Sequence, residues 1–505
     1  MDKTQISYSE GLLLWLKNLY INNRRPFLAT MVTGFAAHMY MFANKLVNHD
    51  DIEALFYKGA TVTSGRWGLE LSRLIFPDWS MPWIYGLLTL LFIAVSVCII
   101  LRVLNISSPV LQIILAAAVV SFPSLTGTFC FMFTSAAYGL AFFLSVLCVW
   151  LYRKGGLLNA FAAALTLVLC LGIYQAYVSI SASLLVILMI QDCLEGEKSP
   201  WQILVWGFKA LAMMAAALII YFIVTLLVFK FTGTEFNDYV LENVNSGASI
   251  PGKIRMAYQN FWDIFTFRNY YVISTEASRI VHLGLILLVL FGAVLAAKRK
   301  TAPLNWALLA LLILLLPLSI NCMYLMMSAQ SIHTLVLYSF VCVYFLAAVI
   351  IEKNKAISRK VLKDLTALMM CLVVASNIYF ANMCYLKMHL QYEAADSFYV
   401  SMIAQIKDTE GFDANSRLAI IGQQDNLLYY APELDTSLLL GPSNDLINIY
   451  SRENFFRQYL GFDIAFADEK EIEEISAMPE FEQMAEYPYY GSIEKIGDYI
   501  VVKLG

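Results

Sequence analysis

Residues Asn44–Arg73 read NKLVNHDDIEALFYKGATVTSGRWGLELSR and lie between two long apolar runs. The stretch is polar and charged. It holds adjacent aspartates at Asp50 and Asp51, a third carboxylate at Glu53, and the tripeptide Gly65-Arg66-Trp67. What surrounds it decides the fold class, because nearly everything else in the chain reads as membrane.

The chain has 505 residues, 60% hydrophobic and only 14% charged, with a mean hydropathy of +0.66. Soluble domains carry nearer a quarter charged residues. Long apolar runs broken by short charged punctuation are the pattern of a polytopic all-α membrane protein. A net charge of −4 without a large basic cluster argues against a nucleic-acid partner. Most of the nine cysteines, among them Cys98, Cys148, Cys170, Cys342 and Cys371, sit in apolar runs without CxxC spacing. They read as small core hydrophobes and imply neither zinc nor disulfides.

Outward from the loop, residues 1–25 carry Lys3, Lys17, Arg24 and Arg25 around Leu12, Leu13, Trp15, Leu16 and Leu19. This predicts an interfacial helix on the cytoplasmic leaflet. The first span is expected over 27–43. No small-residue cleavage site follows it, so it is expected to stay in place. Further spans are expected over 83–101, 109–122, 136–152, 157–173, 176–190, 203–229, about 280–297, 304–321, 333–351 and 365–381, about eleven in all. Trp79 and Trp83 bracket the start of the second.

Basic residues fall in alternate loops: the N-terminus, Arg102, Arg153-Lys154, Lys198, Lys298–Lys300 and Lys353–Lys363. The positive-inside rule then places the N-terminus in the cytoplasm and the C-terminus outside. It puts a first outer loop at 44–80 and a second, larger one at 230–279, within a membrane domain spanning 26–385. From about 386 the composition changes. Leu418–Ile421 and Tyr499–Val502 read as short buried strands, 389–410 and 451–459 have helical spacing, and acidic residues cluster at 468–474. A small extracytoplasmic α/β domain is expected over 386–505.

If the chain after the first span is helical, Asp50 and Glu53 share a face and Asp51 points about 100° away. Carboxylates this close repel, which raises at least one pKa unless cations are near. Lys45, Lys58, Arg66 and Arg73 are in the same loop. Such a group suits a general base, or ligands for Mg²⁺ or Mn²⁺ through Asp50 and Asp51; it equally suits a plain water boundary. Arg66 after a glycine suits a bidentate grip on phosphate. Trp67 suits either stacking on a sugar or anchoring at the interface.

In the second outer loop, KIRMAYQNFWDIFTFRNYYV holds Lys253, Arg255 and Arg268 among aromatics. The 258-261-262-265 spacing predicts an amphipathic helix, fit to guide a lipid tail while the cations hold its phosphate, or to act as an anchor alone. Tyr138, Tyr174, Gln175, Gln330 and His333 are polar groups expected at outer helix ends, where they bind sugar hydroxyls or bridge spans. His38, within the first span, is expected to bond a neighbouring helix.

Asp50-Asp51 just after the first span, Gly65-Arg66-Trp67 downstream, the TSAAYG segment around Tyr138, and Tyr174-Gln175 in a tight turn together resemble the bacterial glucosyl transferases of the O-antigen-modifying, serotype-converting type. The order and placement of the motifs across the membrane region carry the resemblance. It implies a C-type glycosyltransferase fold and a polyprenyl-phosphate sugar donor, typically undecaprenyl phosphate glucose. It also implies a cell-surface glycan as acceptor. On this sequence it makes Asp50 or Asp51 the general base, Glu53 a supporting carboxylate and Arg66 a phosphate ligand. At position 333 the chain has His, where Arg would be the stronger phosphate ligand. The competing class is a transporter or flippase of lipid-linked sugars, which calls for charged residues at mid-span and internal pseudo-symmetry. The carboxylates here gather in a loop instead.

Overall fold

A computed structural model describes residues 8–53, 55, 61–77, 79–237, 241, 249–266, 276–300, 303–327, 334–353, 359–413, 415–422 and 446–505. It is predominantly helical, with one small sheet near the C-terminus. The chain groups into two compact units. One comprises Met1–Asn44 and Ala60–Asn382, the other Lys45–Gly59 and Met383–Gly505.

Seven helices among the described residues are long and apolar enough to cross a bilayer; six lie in the first unit and the seventh, Asp364–Asp408, runs from the first unit into the second. Three shorter apolar helices lie in the first unit at Leu157–Ile173, Ser278–Gly292 and Asn305–Ile320. Eleven spans were expected; the described residues support the coarser description of a helical membrane protein. In the N-terminal segment, Tyr8–Ala43 consists of two helices that meet at a kink at Asn23 (φ −124°, ψ 19°), three residues before Pro26 and close to the boundary expected between an interfacial helix and the first span. A proline inside a helix removes one backbone hydrogen bond and crowds the preceding turn, so a kink there is the expected cost.

The polar-aromatic stretch after Phe122 is helical too. Pro123 opens the helix Pro123–Cys130 at its first turn, where a missing N–H costs nothing. Several polar groups in this unit bridge from one helix to another. The His38 ring nitrogen Nε2 lies 2.9 Å from the Val120 carbonyl, the inter-helix bond expected of it. Tyr338 donates to the Val119 carbonyl at 3.0 Å. Arg153 grips Asp192 with two parallel bonds of 2.9 and 2.8 Å, and Lys198 reaches the same carboxylate at 2.7 Å. Trp79 and Trp83 are exposed, as interfacial tryptophans are.

Helix Ile250–Thr266 is amphipathic, as its spacing predicts. Ala257, Phe261, Ile264 and Phe265 are buried while Met256 and Trp262 are exposed. Phe261 stacks on Phe340 with ring centroids 5.6 Å apart, and Asn321 donates to the Ala257 carbonyl at 2.8 Å. This helix, with Glu276–Lys300 and Pro303–Ile320, lines an apolar cavity of about 430 Å³.

Helix Arg359–Asp408 runs unbroken for 50 residues, through position 386, where the composition change suggested that the membrane domain gives way to the C-terminal one. It contains neither Gly nor Pro, so nothing local stops it. Beyond it, β1 (Arg417–Ile421), β2 (Ala465–Phe466), β3 (Ile493–Ile496) and β4 (Tyr499–Lys503) form a four-stranded sheet in the order β2-β1-β4-β3. β1 pairs in parallel with both β2 and β4, and β3–β4 is an antiparallel hairpin. The two apolar runs read as strands from sequence are therefore the central pair. Ala419, Val501, Ile475 and Met484 pack into a small core beside the sheet. Helix Glu469–Ser476 starts with a capping box between Asp468 and Glu471.

Candidate active site

The acidic motif folds as a five-residue helix, His49–Glu53. Asn48 starts it. Its side-chain oxygen accepts from the Asp51 amide at 2.8 Å and its carbonyl from the Ile52 amide at 3.0 Å, as an N-cap asparagine does. The helical turn separates the carboxylates in the way the spacing predicts. Asp51 is sealed, its side chain 0% exposed, and it pairs with the ammonium of Lys45. Asp50 and Glu53 turn instead to one face, which is covered by helix Ile449–Asn454 of the same unit.

There the Tyr450 hydroxyl donates to Asp50 Oδ1, and the Asn454 amide donates to Glu53 Oε2 at 2.7 Å. The Asp50 side chain remains 45% exposed. Glu53 is more enclosed. Desolvation raises its pKa above the ordinary carboxylate value, the Asn454 hydrogen bond opposes that, and the charges of Glu453 and Asp50 add to it. Its second oxygen, Oε1, is buried without a hydrogen-bond partner among the described residues. Burial and the neighbouring Asp50 charge push the Tyr450 hydroxyl far above its usual range, so it stays a proton donor. The His49 ring stands edge-on to Tyr450 at 5.8 Å.

These donors do not fit a divalent cation. Asp51 is committed to Lys45, and no three metal-ligating side chains gather among the described residues. The proposal that Asp50 and Asp51 jointly hold Mg²⁺ or Mn²⁺ therefore gains no support from the geometry.

The second cluster belongs to the first unit and collects Gly65, Arg66, Trp67, Tyr138, Tyr174 and Gln175, all singled out in the sequence. Gly65 has φ +69°, a left-handed conformation that suits glycine; a Cβ there would lie 2.7 Å from the Tyr221 hydroxyl. Tyr221 donates to the Gly65 carbonyl at 3.0 Å, and Gln175 donates to Tyr221 at 2.9 Å and to the Ser64 carbonyl at 3.1 Å. The turn is thereby locked from two helices. Arg66, next in the chain, is half-buried. Its Nη1 donates to the Tyr138 hydroxyl at 3.2 Å, and its guanidinium carbon lies 5.4 Å from the Tyr174 ring centroid. Tyr138 and Tyr174 are buried and stacked on each other, centroids 4.2 Å apart.

Trp67 is buried rather than displayed. Its indole donates to Thr225 Oγ1 at 3.2 Å and stacks near Tyr221. Helix Trp67–Ser72 reaches this position because Gly68 and Gly172 let two backbones touch. A Cβ on Gly68 would sit 2.7 Å from the Gly172 carbonyl carbon, and one on Gly172 would strike the Trp67 ring at 2.7 Å.

The remaining candidates are placed apart from this cluster or not described. Lys253 reaches the Leu325 carbonyl at 3.5 Å, and Arg255 is exposed on the amphipathic helix. Arg268, Gln330 and His333 lie outside the described residues. Sequence reasoning missed Tyr450, Asn454 and Tyr221. Residues 451–459 showed helical spacing, but nothing in that spacing names a partner, and Tyr221 sits in an otherwise apolar run.

With the geometry in place, the comparison with known families is informative: residues 39–344 match the family model described as glucosyl transferase GtrII. The match contains the acidic helix, the Arg66 cluster and the cavity-lining helices, and ends before helix Arg359–Asp408. None of the curated proteins compared with the chain matches it.

Proposed function

The chain belongs to the GtrII family of glucosyl transferases, and from that premise we propose that it moves glucose from a polyprenyl-phosphate donor to a cell-surface glycan, with Asp50 as general base. The observation that carries the assignment of the base is the contrast between neighbours. Asp50 offers an open carboxylate, whereas Asp51 is buried against a lysine. An acceptor hydroxyl can reach the first but not the second.

In this proposal the acceptor oxygen attacks the anomeric carbon as Asp50 takes its proton, and the bond from that carbon to the phosphate oxygen breaks. One displacement inverts the anomeric centre, and one base suffices. A positioned carboxylate contributes about 10²–10⁴-fold to such a step. Tyr450 occupies Oδ1, and Oδ2 has no partner among the described residues, so it is the oxygen assigned to the acceptor's proton. Negative charge grows on the departing phosphate. A cation is needed to meet it. In the first unit Arg66, whose fork matches phosphate oxygens and whose position Tyr138 and Tyr174 hold, is the phosphate ligand that the family resemblance implies. Glu53 supports the site from the face it shares with Asp50.

The lipid-linked donor is supported by the apolar cavity beside the amphipathic helix, lined by Phe261, Trp262, Ile286, Leu290, Trp306 and Leu314, whose chemistry suits an isoprenoid chain. The alternation of basic loops supports an orientation with the acidic loop outside, and the family resemblance implies a bacterial cytoplasmic membrane. Membership of a transferase family sets the flippase alternative aside.

The test uses purified full-length protein in nanodiscs with synthetic polyprenyl-phosphate glucose and the polysaccharide extracted from the producing cell as acceptor, following release of polyprenyl phosphate. Asp50→Asn is expected to abolish turnover while the protein remains folded. Wild-type turnover in Asp50→Asn would remove Asp50 as the base.

A further inference from the structure

The two open-face carboxylates are held by a segment some 400 residues further along the chain. Tyr450 and Asn454 are four apart on helix Ile449–Asn454, and Asp50 and Glu53 are three apart on His49–Glu53. Each pair therefore lies on one helical face, and the two faces meet donor to acceptor.

The donor helix is itself firmly seated. Asn448 and Ser451 form a reciprocal capping box at its start. Arg452 is buried, and its guanidinium donates to the carbonyls of Ile420 at 3.4 Å and Gly422 at 3.2 Å, at the end of β1. Phe455 is fully buried against Tyr399 of the long helix, centroids 5.7 Å apart, and Tyr459 stacks on Phe455 at 5.5 Å. The Tyr459 hydroxyl is buried without a partner among the described residues, close enough to feel the charge of Asp51.

We propose that residues 449–459 form a positioning element of the active site, with Tyr450 setting the orientation of the Asp50 carboxylate and Asn454 that of Glu53. A carboxylate on an isolated five-residue helix is free to rotate. A general base must hold one lone pair toward the attacking hydroxyl, and misplacement by an ångström is costly. A hydroxyl bound to Oδ1 fixes the ring of allowed rotations and leaves Oδ2 for the proton. The element lies outside residues 39–344, so it is a property of this chain's C-terminal unit rather than of the matched family region. The inference rests on Asp50 being the base.

Full-length protein in nanodiscs, given synthetic polyprenyl-phosphate glucose and the polysaccharide extracted from the producing cell, tests it. Loss of one hydrogen bond to a charged group predicts that Tyr450→Phe lowers kcat by about tenfold or more, with donor KM and melting temperature unchanged. Asn454→Leu is expected to lower kcat similarly, and Asn454→Gln, which keeps the amide donor, to restore part of it. In the Asp50→Asn background, Tyr450→Phe is expected to cost nothing further, because the group it orients is gone. Wild-type kcat in Tyr450→Phe alongside an inactive Asp50→Asn would overturn the positioning role and leave the base standing. A loss confined to melting temperature and folded fraction would overturn it as well. Full activity in Asp50→Asn would instead overturn the base assignment on which it rests.

Discussion

Asp50 and Asp51 are neighbours in the chain and opposites in the structure: one carboxylate is open and accepts from Tyr450, the other is sealed against Lys45. The difference follows from one residue of helical rotation. It predicts different consequences for the same substitution. Asp51→Asn takes a charge away from a buried pair and is expected to cost about 3 kcal/mol of stability. Asp50→Asn is expected to change stability by less than about 0.5 kcal/mol, as for a surface site, while stopping turnover. Thermal unfolding of both variants in detergent separates the two.

Arg66 is held by Tyr138 and lies over Tyr174. Lysine keeps the charge but loses the planar fork and the stacking. Arg66→Lys is expected to raise donor KM about tenfold, the loss of roughly one charge-assisted hydrogen bond. Initial rates against donor concentration check it, and an unchanged KM would detach Arg66 from the phosphate.

Helix Trp67–Ser72 depends on the contact between Gly68 and Gly172. A methyl group there cannot be absorbed by a flexible side chain, because backbone lies 2.7 Å away. Gly68→Ala is expected to cost about 1–3 kcal/mol through overpacking and to lower activity by displacing the adjoining Arg66. Melting temperature and turnover should fall together.

The apolar cavity predicts a dependence on chain length. Ala310 lines it, and Ala310→Trp would fill much of its space. Binding of a long-chain polyprenyl-phosphate glucose is expected to weaken about tenfold, the loss of a few buried methylenes, while a short-chain analogue is unaffected. Titration of both donors measures the difference.

In the C-terminal unit, Arg417 pairs with Glu471, which also accepts from Tyr499 at 2.7 Å. Arg417, the capping Asp468 amide and Tyr499 hold the Glu471 pKa down at about 2, against 4.5 unperturbed. A depressed carboxylate stabilises the fold above its unfolded pKa, and that contribution is lost as pH falls from about 4.5 toward about 2. The pair is only half-buried, so the effect is small and screened by salt. Glu471→Gln is expected to flatten the acid dependence of protection at the β1 amides in hydrogen exchange. An identical acid dependence in both proteins would show that the pair does not matter.

Much of this architecture was legible from local pattern. Apolar runs marked most helices because a bilayer-spanning helix must be apolar along its length. The two apolar strands marked the centre of the sheet, and helical rotation alone put Asp50 and Glu53 on one face. Helix Arg359–Asp408 is not legible as one element, because a change in polarity within it suggests a break that no Gly or Pro makes. What only the tertiary structure decided is who meets whom. Asp51 and Lys45 are six residues apart, and a sequence holding four cations in the loop does not select one. Asp50 and Tyr450 are 400 residues apart, and a hydrogen bond across that separation has no period to reveal it. Residue type and spacing determine which faces a helix offers. Tertiary packing determines what each face meets, Lys45 for Asp51 and Tyr450 for Asp50, and that outcome singles out Asp50 as the candidate base.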